Sequence, residues 1–255
     1  MRLDAYIPDK RLRAIISRFV ISEQPDASTY KVFPSTGPVW GFQYSGQLSV
    51  VDAQQTALLS IAGITGLADR YRVFSNSAGI GTILVYFTET GLSQLTKCPI
   101  GHFFNQSISL EHLFNRNKVD EITDRLCIAK NDIQRISIIE QFLLTQLRGS
   151  EPDKLVAAAA RLIRQNEGNI QIGQLNHILY SSASVLERRF KHVIGTTPKK
   201  FASLVRINKV IEELKANKPP LSICYDYNFF DQAHFIKEFK RYTGDTPEDF
   251  RRLHK

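Results

Sequence analysis

The chain has 255 residues, 43% of them hydrophobic, and carries 33 Lys and Arg against 25 Asp and Glu, a net charge of +8. That length and apolar content suit two domains of ordinary size with packed cores. A spanning helix is not expected, because the longest apolar stretch, about Ala78 to Phe87, is too short to cross a bilayer. The N-terminal run MRLDAYIPDKRLR has acids and bases where a signal peptide needs apolar residues. Cys98, Cys127 and Cys224 lie far apart with no CxxC spacing, which argues against a disulfide framework or a zinc site. The expected location is the reducing cytoplasm, with no membrane partner.

The first 115 residues alternate short β-rich runs with turn signals. The runs are YKVF at 30–33, VWGFQY at 39–44, LSVV at 48–51, LLSIA at 58–62, YRVF at 71–74 and TILVYF at 82–87. STGP, SGQ, GITG, NSAG and ETG separate them. Short strands at this spacing predict a small barrel or sandwich. From about Lys118 the pattern turns helical. Ile122 and Leu126 are four apart, and Ile133, Ile136, Ile139, Leu143 and Leu147 form one stripe flanked by Ile138 and Phe142. Gly149-Ser150-Glu151-Pro152-Asp153 breaks it, with Ser150 and Asp153 spaced as a capping box. The predicted division is therefore 1–149, β-rich with C-terminal helices, and 150–255, all helical. The fold class is α+β.

The second half reads as helices near 151–166, 172–179, 182–193, 198–215, 221–227 and 231–242, with a last one starting at Pro247. Within it one segment occurs twice. Residues 186–204 (LERRFKHVIGTTPKKFASL) and 235–253 (FIKEFKRYTGDTPEDFRRL) align at an offset of 49 with seven identities in nineteen positions. Unrelated segments would share about one, so this is an internal duplication. In each copy an amphipathic helix ends in Phe-Lys, a glycine stops it, and Thr-Pro starts the next. Glycine permits left-handed backbone past a helix end, threonine caps, and proline fits the first helical turn. The duplicated end is also the basic end: residues 151–255 hold 18 Lys and Arg against 12 Asp and Glu, a net +6. Positive charge of this kind favours polyanions.

These residues resemble the arabinose-regulator (AraC/XylS) family of bacterial transcription regulators. The resemblance rests on Phe239-Lys240, Gly244, Pro247 and Phe250, on the upstream turn Asn228-Phe229-Phe230-Asp231, and on the first copy of the same frame. It covers about Leu155–Arg251. It implies two helix-turn-helix units whose recognition helices enter adjacent major-groove segments of double-stranded DNA. The implied base-contacting positions are Ser184, Glu187, Arg188, Gln232, Ala233, His234 and Lys237. Lys191, Lys199, Lys200, Lys240 and Arg241 are expected to meet phosphates, which position without specifying. Phe190, Phe239 and Phe201 read as core. In the first unit Tyr180 stands where the family has a turn glycine, and tyrosine adopts left-handed backbone poorly. With the acid Glu187 also on its outer face, the first unit is expected to have a relaxed turn and to insert more weakly.

The resemblance also implies a ligand sensor in the β-rich part, self-association through its helices, and RNA polymerase as a partner. Trp40, Phe42, Tyr44 and Tyr86 are candidate pocket residues for a small-molecule effector, against the simpler expectation that alternate strand residues are core. The stripe from Ile133 to Leu147 is the candidate homodimer seam, against packing on its own β domain. His102, Glu111 and His112 lack the His-x-His spacing of a cupin-type metal site, so no metal or cofactor is expected. No Gly-x-Ser-x-Gly elbow is present, and the chain reads as a non-enzyme. The leading expectation is a sequence-specific DNA-binding regulator. The alternatives are a small-molecule-binding or enzymatic β domain with a DNA tether, and a nonspecific nucleic-acid binder.

Overall fold

The computed structural model describes every residue except Ala53, Gln54, Arg148, Ser150, His254 and Lys255. The capping role expected of Ser150 therefore lies outside the described residues; Asp153 caps the following helix by itself, accepting from the Val156 amide at 3.0 Å.

The β-rich part contains β1 (Arg2–Tyr6), β2 (Ile16–Gln24), β3 (Ser28–Val32), β4 (Val39–Ser45), β5 (Leu48–Val51), β6 (Thr56–Leu58), β7 (Ala62–Thr65), β8 (Arg72–Asn76), β9 (Ile80–Phe87) and β10 (Ser107–Ser109). They form two antiparallel sheets, one of six strands in the order β1-β2-β9-β4-β7-β10 and one of four in the order β3-β8-β5-β6. β1 and β2 were not predicted. In β2 the register slips between Ile16 and Arg18, so the extra Ser17 puts Ile16 out of phase with Phe19 and Ile21, although all three are buried. A bulge of this kind hides period-two alternation. The run 58–62 is not one strand. β6 ends at Leu58 in the small sheet and β7 starts at Ala62 in the large one. The buried Gln43 holds the crossing, its amide donating to the Ser60 carbonyl at 2.8 Å and accepting from the Leu48 amide at 2.6 Å.

Two helices follow, α1 (Arg116–Ile128) and α2 (Asp132–Gln146), and pack on the six-stranded sheet. Trp40 is the centre of this contact, with its ring centroid 4.9 Å from Phe87 and 5.3 Å from Phe114; Phe114 in turn meets Phe142 at 5.4 Å. The candidate dimer seam is mostly core, packed on its own β domain. Ile136, Ile139 and Leu143 are buried in this core and Leu147 packs against it, while Ile133 alone is 75% exposed. Apolar surface has been removed from water inside the protomer, which leaves the stripe no seam to offer. The start of α2 is tied to β1 by Asp132, which accepts from Tyr6 Oη at 2.9 Å and pairs with Arg2.

The helical part contains α3 (Lys154–Gln165), α4 (Ile172–Ile178), α5 (Ala183–Val193), α6 (Pro198–Lys215), α7 (Pro220–Asp226), α8 (Gln232–Thr243) and α9 (Pro247–Leu253). Its buried residues form a second core from Val156 to Phe250, and Leu67 of the β-rich part is built into it.

If the stripe is core, Ile139→Ala should lower unfolding free energy by about 2–5 kcal/mol, while Ile133→Ala should change it by less than about 0.5 kcal/mol. Urea denaturation checks both, and equal effects would contradict the packing.

Candidate nucleic-acid interface

Each unit is built by the same local rules. In the first, α4 leads through a turn into α5; in the second, α7 leads into α8. Ser182 caps α5, accepting from the Val185 amide, and Asp231 caps α8, accepting from the His234 amide at 2.6 Å. Gly195 (φ 100°) follows α5 and Gly244 (φ 84°) follows α8, the left-handed conformation that glycine adopts without a Cβ clash. Thr197 and Thr246 then cap α6 and α9 through the amides of Lys200 and Asp249, each at 3.2 Å. The identical phenylalanines make identical contacts. Phe190 meets Phe201 edge-on at 5.5 Å, and Phe239 meets Phe250 edge-on at 5.4 Å. All four are fully buried.

The turns differ from expectation. Tyr180 adopts φ 48° and Asn228 φ 50°. The first turn closes with Tyr180 N–H on the His177 carbonyl at 3.2 Å and Ser181 N–H on the Asn176 carbonyl at 3.1 Å. The second closes with Asn228 N–H on the Tyr225 carbonyl and Phe229 N–H on the Cys224 carbonyl, both at 3.2 Å. The first turn is thus not relaxed: tyrosine is held where asparagine sits in the second copy. Its side chain is 95% exposed, so only the backbone geometry is strained. The second turn is one residue longer, and Phe230, the extra residue, is 91% exposed.

With Leu186, Phe190, Phe235 and Phe239 turned inward, Ser184, Glu187, Arg188, Gln232, Ala233, His234 and Lys237 are all exposed. Glu187 pairs with Lys191 one turn on at 2.7 Å, so the acid on the first face is neutralised within its own helix. Arg188, Lys199, Lys237 and Lys240 have no ion pair among the described residues and project into solvent. Three of the five expected phosphate-contacting residues are engaged within the protein, Lys191 by Glu187 and two others by Asp69. Arg241 reaches Asp69 at 2.5 Å, and Lys200 lies 3.7 Å from the same carboxylate with its ammonium 4.7 Å from the Phe104 ring centroid. Burial would raise the Asp69 carboxyl. The Asn105 amide and the charges of Arg241, Lys200 and Arg70 outweigh that and hold it below the ordinary carboxylate range.

The units are braced internally by two further pairs. Arg189 of α5 grips Asp153 at 2.7 and 2.8 Å, and Arg206 of α6 meets Glu238 of α8 at 2.8 Å while stacking 4.4 Å from the Phe229 centroid. Burial pushes the Asp153 carboxyl up, but its hydrogen bonds from Arg189 and the Val156 amide bring it below the ordinary range.

The candidate pocket residues do not converge. Trp40 and Phe42 are fully buried in the aromatic core and are not open to solvent. Tyr44 donates to Glu23 at 2.6 Å beneath the Arg135 guanidinium. Tyr86 lies under Arg18 at 4.2 Å and lines a cleft of about 640 Å³ between the β-rich part and α6, together with Thr36, Glu89, Arg164 and Asn208. Neither this cleft nor the Asp69 cluster is legible in the sequence, because each joins residues of the β-rich part to distant ones of the helical part, Tyr86 to Asn208 and Asp69 to Lys200 and Arg241. Among the described residues no three His, Cys, Asp or Glu are grouped to hold a metal ion, and no helix is long and apolar enough to cross a membrane.

Left-handed backbone costs a non-glycine residue roughly 1–2 kcal/mol and asparagine less. Tyr180→Asn should therefore raise stability by roughly 1 kcal/mol in urea denaturation. A loss of stability would mean that the tyrosine ring contributes what its backbone gives up.

Comparison with known proteins agrees with this geometry. The family described as "Helix-turn-helix domain" matches residues 176–253, which include both turns and both recognition helices. An uncharacterized HTH-type transcriptional regulator of Haemophilus influenzae is 27% identical over 157 residues, or 60% of this chain, and the chain spans about half (51%) of that relative's length. The crystal structure of ToxT from Vibrio cholerae superposes over 92% of this chain and 97% of its own with a TM-score of 0.51 at 11% identity, a likeness of fold. The AraC-like transcriptional activator CuxR aligns over 98% of this chain and 78% of its own with a TM-score of 0.31 at 13% identity. With its doubled Phe, Gly and Thr-Pro frame folded into two helix-turn-helix units, the segment 176–253 of this chain is an AraC-type helix-turn-helix domain.

Proposed function

We propose that the protein regulates transcription by sequence-specific binding to double-stranded DNA, with α5 and α8 in adjacent major-groove segments. The observation that carries this is the pair of equivalent helices, each locked by one edge-on phenylalanine contact and each presenting a different exposed set: Ser184, Glu187 and Arg188 on one, Gln232, Ala233, His234 and Lys237 on the other. Different outward residues on a common frame suit the reading of two different base sequences. Arg188 is suited to guanine O6 and N7, and Gln232 to adenine. The unpaired Lys199 and Lys240 are suited to phosphates, which position the protein without specifying sequence. Because both turns adopt the same backbone, both units are assigned a reading role. Nothing in the exposed sets is arranged for catalysis. Control by a small molecule is part of the proposal. The cleft beneath Arg18 and beside Arg164 is its candidate site, since an occupant there would touch both parts of the chain.

Selection of duplexes from a random library at fixed salt tests the reading, with enrichment of a two-part motif as the expected result and no enrichment as the contrary one. Gln232→Ala or Lys237→Ala should then relax preference at particular base pairs by about 1–3 kcal/mol. Lys240→Ala should weaken all duplexes alike and reduce the log–log salt slope by about 0.9. Titrations at several salt concentrations separate the two. A uniform loss from Gln232→Ala would remove that residue from base recognition.

A further inference from the structure

The β-rich part touches both units at their duplicated feature. Gly195, which ends the first recognition helix, is seated against Ile100: a Cβ there would lie 3.0 Å from the Ile100 carbonyl oxygen. Gly244, its counterpart in the second unit, is seated against Tyr71, and a Cβ there would lie 2.8 Å from the ring. Next to Gly244, both carboxylate oxygens of Asp245 accept from Lys31 Nζ at 2.8 Å. Between these two seats is Asp69, on the segment that joins β7 to β8. Its side chain is only 8% exposed. One of its oxygens takes a cation from each unit: Arg241, in the last turn of α8, at 2.5 Å, and Lys200, in the first turn of α6, at 3.7 Å. Asn105 holds the residue from behind, donating from Nδ2 to the other oxygen at 3.1 Å and accepting from the Asp69 amide at 3.0 Å. Leu67, two residues earlier, is anchored in the helical core.

We propose that Asp69 is a positioning residue that fixes the register of the two recognition helices on DNA. The proposal rests on the reading that α5 and α8 both enter the major groove. The linking helix α6 has 18 residues, a rod of about 27 Å at 1.5 Å per residue. A rod sets the separation of two heads better than their rotation about its axis. Asp69 adds a second path between them. From its carboxylate the chain of contacts runs to Lys200 at the start of α6, along α6, across to α8 and back through Arg241. Closing that loop resists rotation. The carboxylate is nearly buried, and although Arg70 also lies 3.5 Å from it, releasing Arg241 or Lys200 removes part of its compensation, so opening the loop costs free energy. Rotation matters because one base-pair step turns the groove by about 34–36° and advances it about 3.4 Å. A brace that limits rotation to less than this makes the protein discriminate between motif spacings. Lys200 and Arg241 then act on the fold of the reading head and not on phosphates.

The test compares wild type with Asp69→Asn, which keeps the shape and removes the charge, and with Asn105→Ala, which keeps the charge and removes its support. Full-length proteins are first checked for folding by thermal melting. Affinity is then measured by fluorescence anisotropy on a duplex carrying the selected two-part motif, and on duplexes with the two parts one base pair closer or farther apart. Wild type should lose about tenfold or more on either shift, the cost of a mismatched position. Asp69→Asn should bind the original duplex a few-fold more weakly and lose less than about threefold on the shifts, with base preference inside each half unchanged. Asn105→Ala should move the same way, and it carries the test if Asp69→Asn does not fold. Unchanged spacing discrimination in the folded variant overturns the proposal. So does tighter binding of the original duplex, which would make Asp69 a competitor of DNA phosphates. Failure of wild type to bind any two-part duplex sinks the two-helix reading itself, and this proposal with it.

Discussion

An edge-on contact between two phenylalanines, made twice, is what the helical part depends on. Phe190 on Phe201 and Phe239 on Phe250 each join the end of a recognition helix to the start of the next helix. Between the partners the chain must reverse in a few residues. Glycine turns it, threonine caps the next helix, and proline begins it. The ring contact holds that reversal closed, and aromatic pairs of this geometry contribute about 0.5–1.5 kcal/mol beyond the area they bury. Once the inner side of each recognition helix is committed to these rings, its outer side is determined too. Exposure of Arg188 or Lys237 is the other face of the burial of Phe190 and Phe239.

Charge is divided along the same lines. Cations near the joints are paired: Arg189 with Asp153, Arg206 with Glu238, Arg241 and Lys200 with Asp69, Lys31 with Asp245. On the outer faces Lys191 is paired with Glu187, while Arg188, Lys199, Lys237 and Lys240 are unpaired among the described residues. A paired, half-buried cation contributes to geometry and little to the outward field; an exposed one is screened over about 8–10 Å and is available to a polyanion. The net charge of the basic end therefore overstates the number of cations free to meet DNA.

The β-rich part stands in a different relation to the helical part than a tethered sensor would. Leu67 enters the helical core, Phe33 packs at a tilt against Phe250 with ring centroids 5.6 Å apart, and Asn208 donates to the Pro34 carbonyl at 3.0 Å. Phe250 belongs to the second unit's closing pair, so the β-rich part supports the element on which that unit's fold rests.

The sequence by itself determined the helical part nearly to its ends. Amphipathic period, Asp and Thr caps, Pro at the first turn and Gly past the last act within a few residues of each other, and the duplication repeats each signal. The inward set of Leu186, Phe190, Phe235 and Phe239 and the outward set that follows from it were legible for that reason. Much of the rest was decided by tertiary structure. β2 was hidden by the bulge at Ser17, and the run 58–62 was split between two sheets, because strand pairing is settled by distant partners. Ile136, Ile139 and Leu143 had the pattern of a seam, and only the sheet beneath them made them core. Tyr180 looked unfit for its turn, yet the helices on either side hold its backbone at positive φ. Asp69 had no signal at all. Its partners Asn105, Lys200 and Arg241 lie 36, 131 and 172 residues away, and nothing local in a chain records which charges folding will bring together.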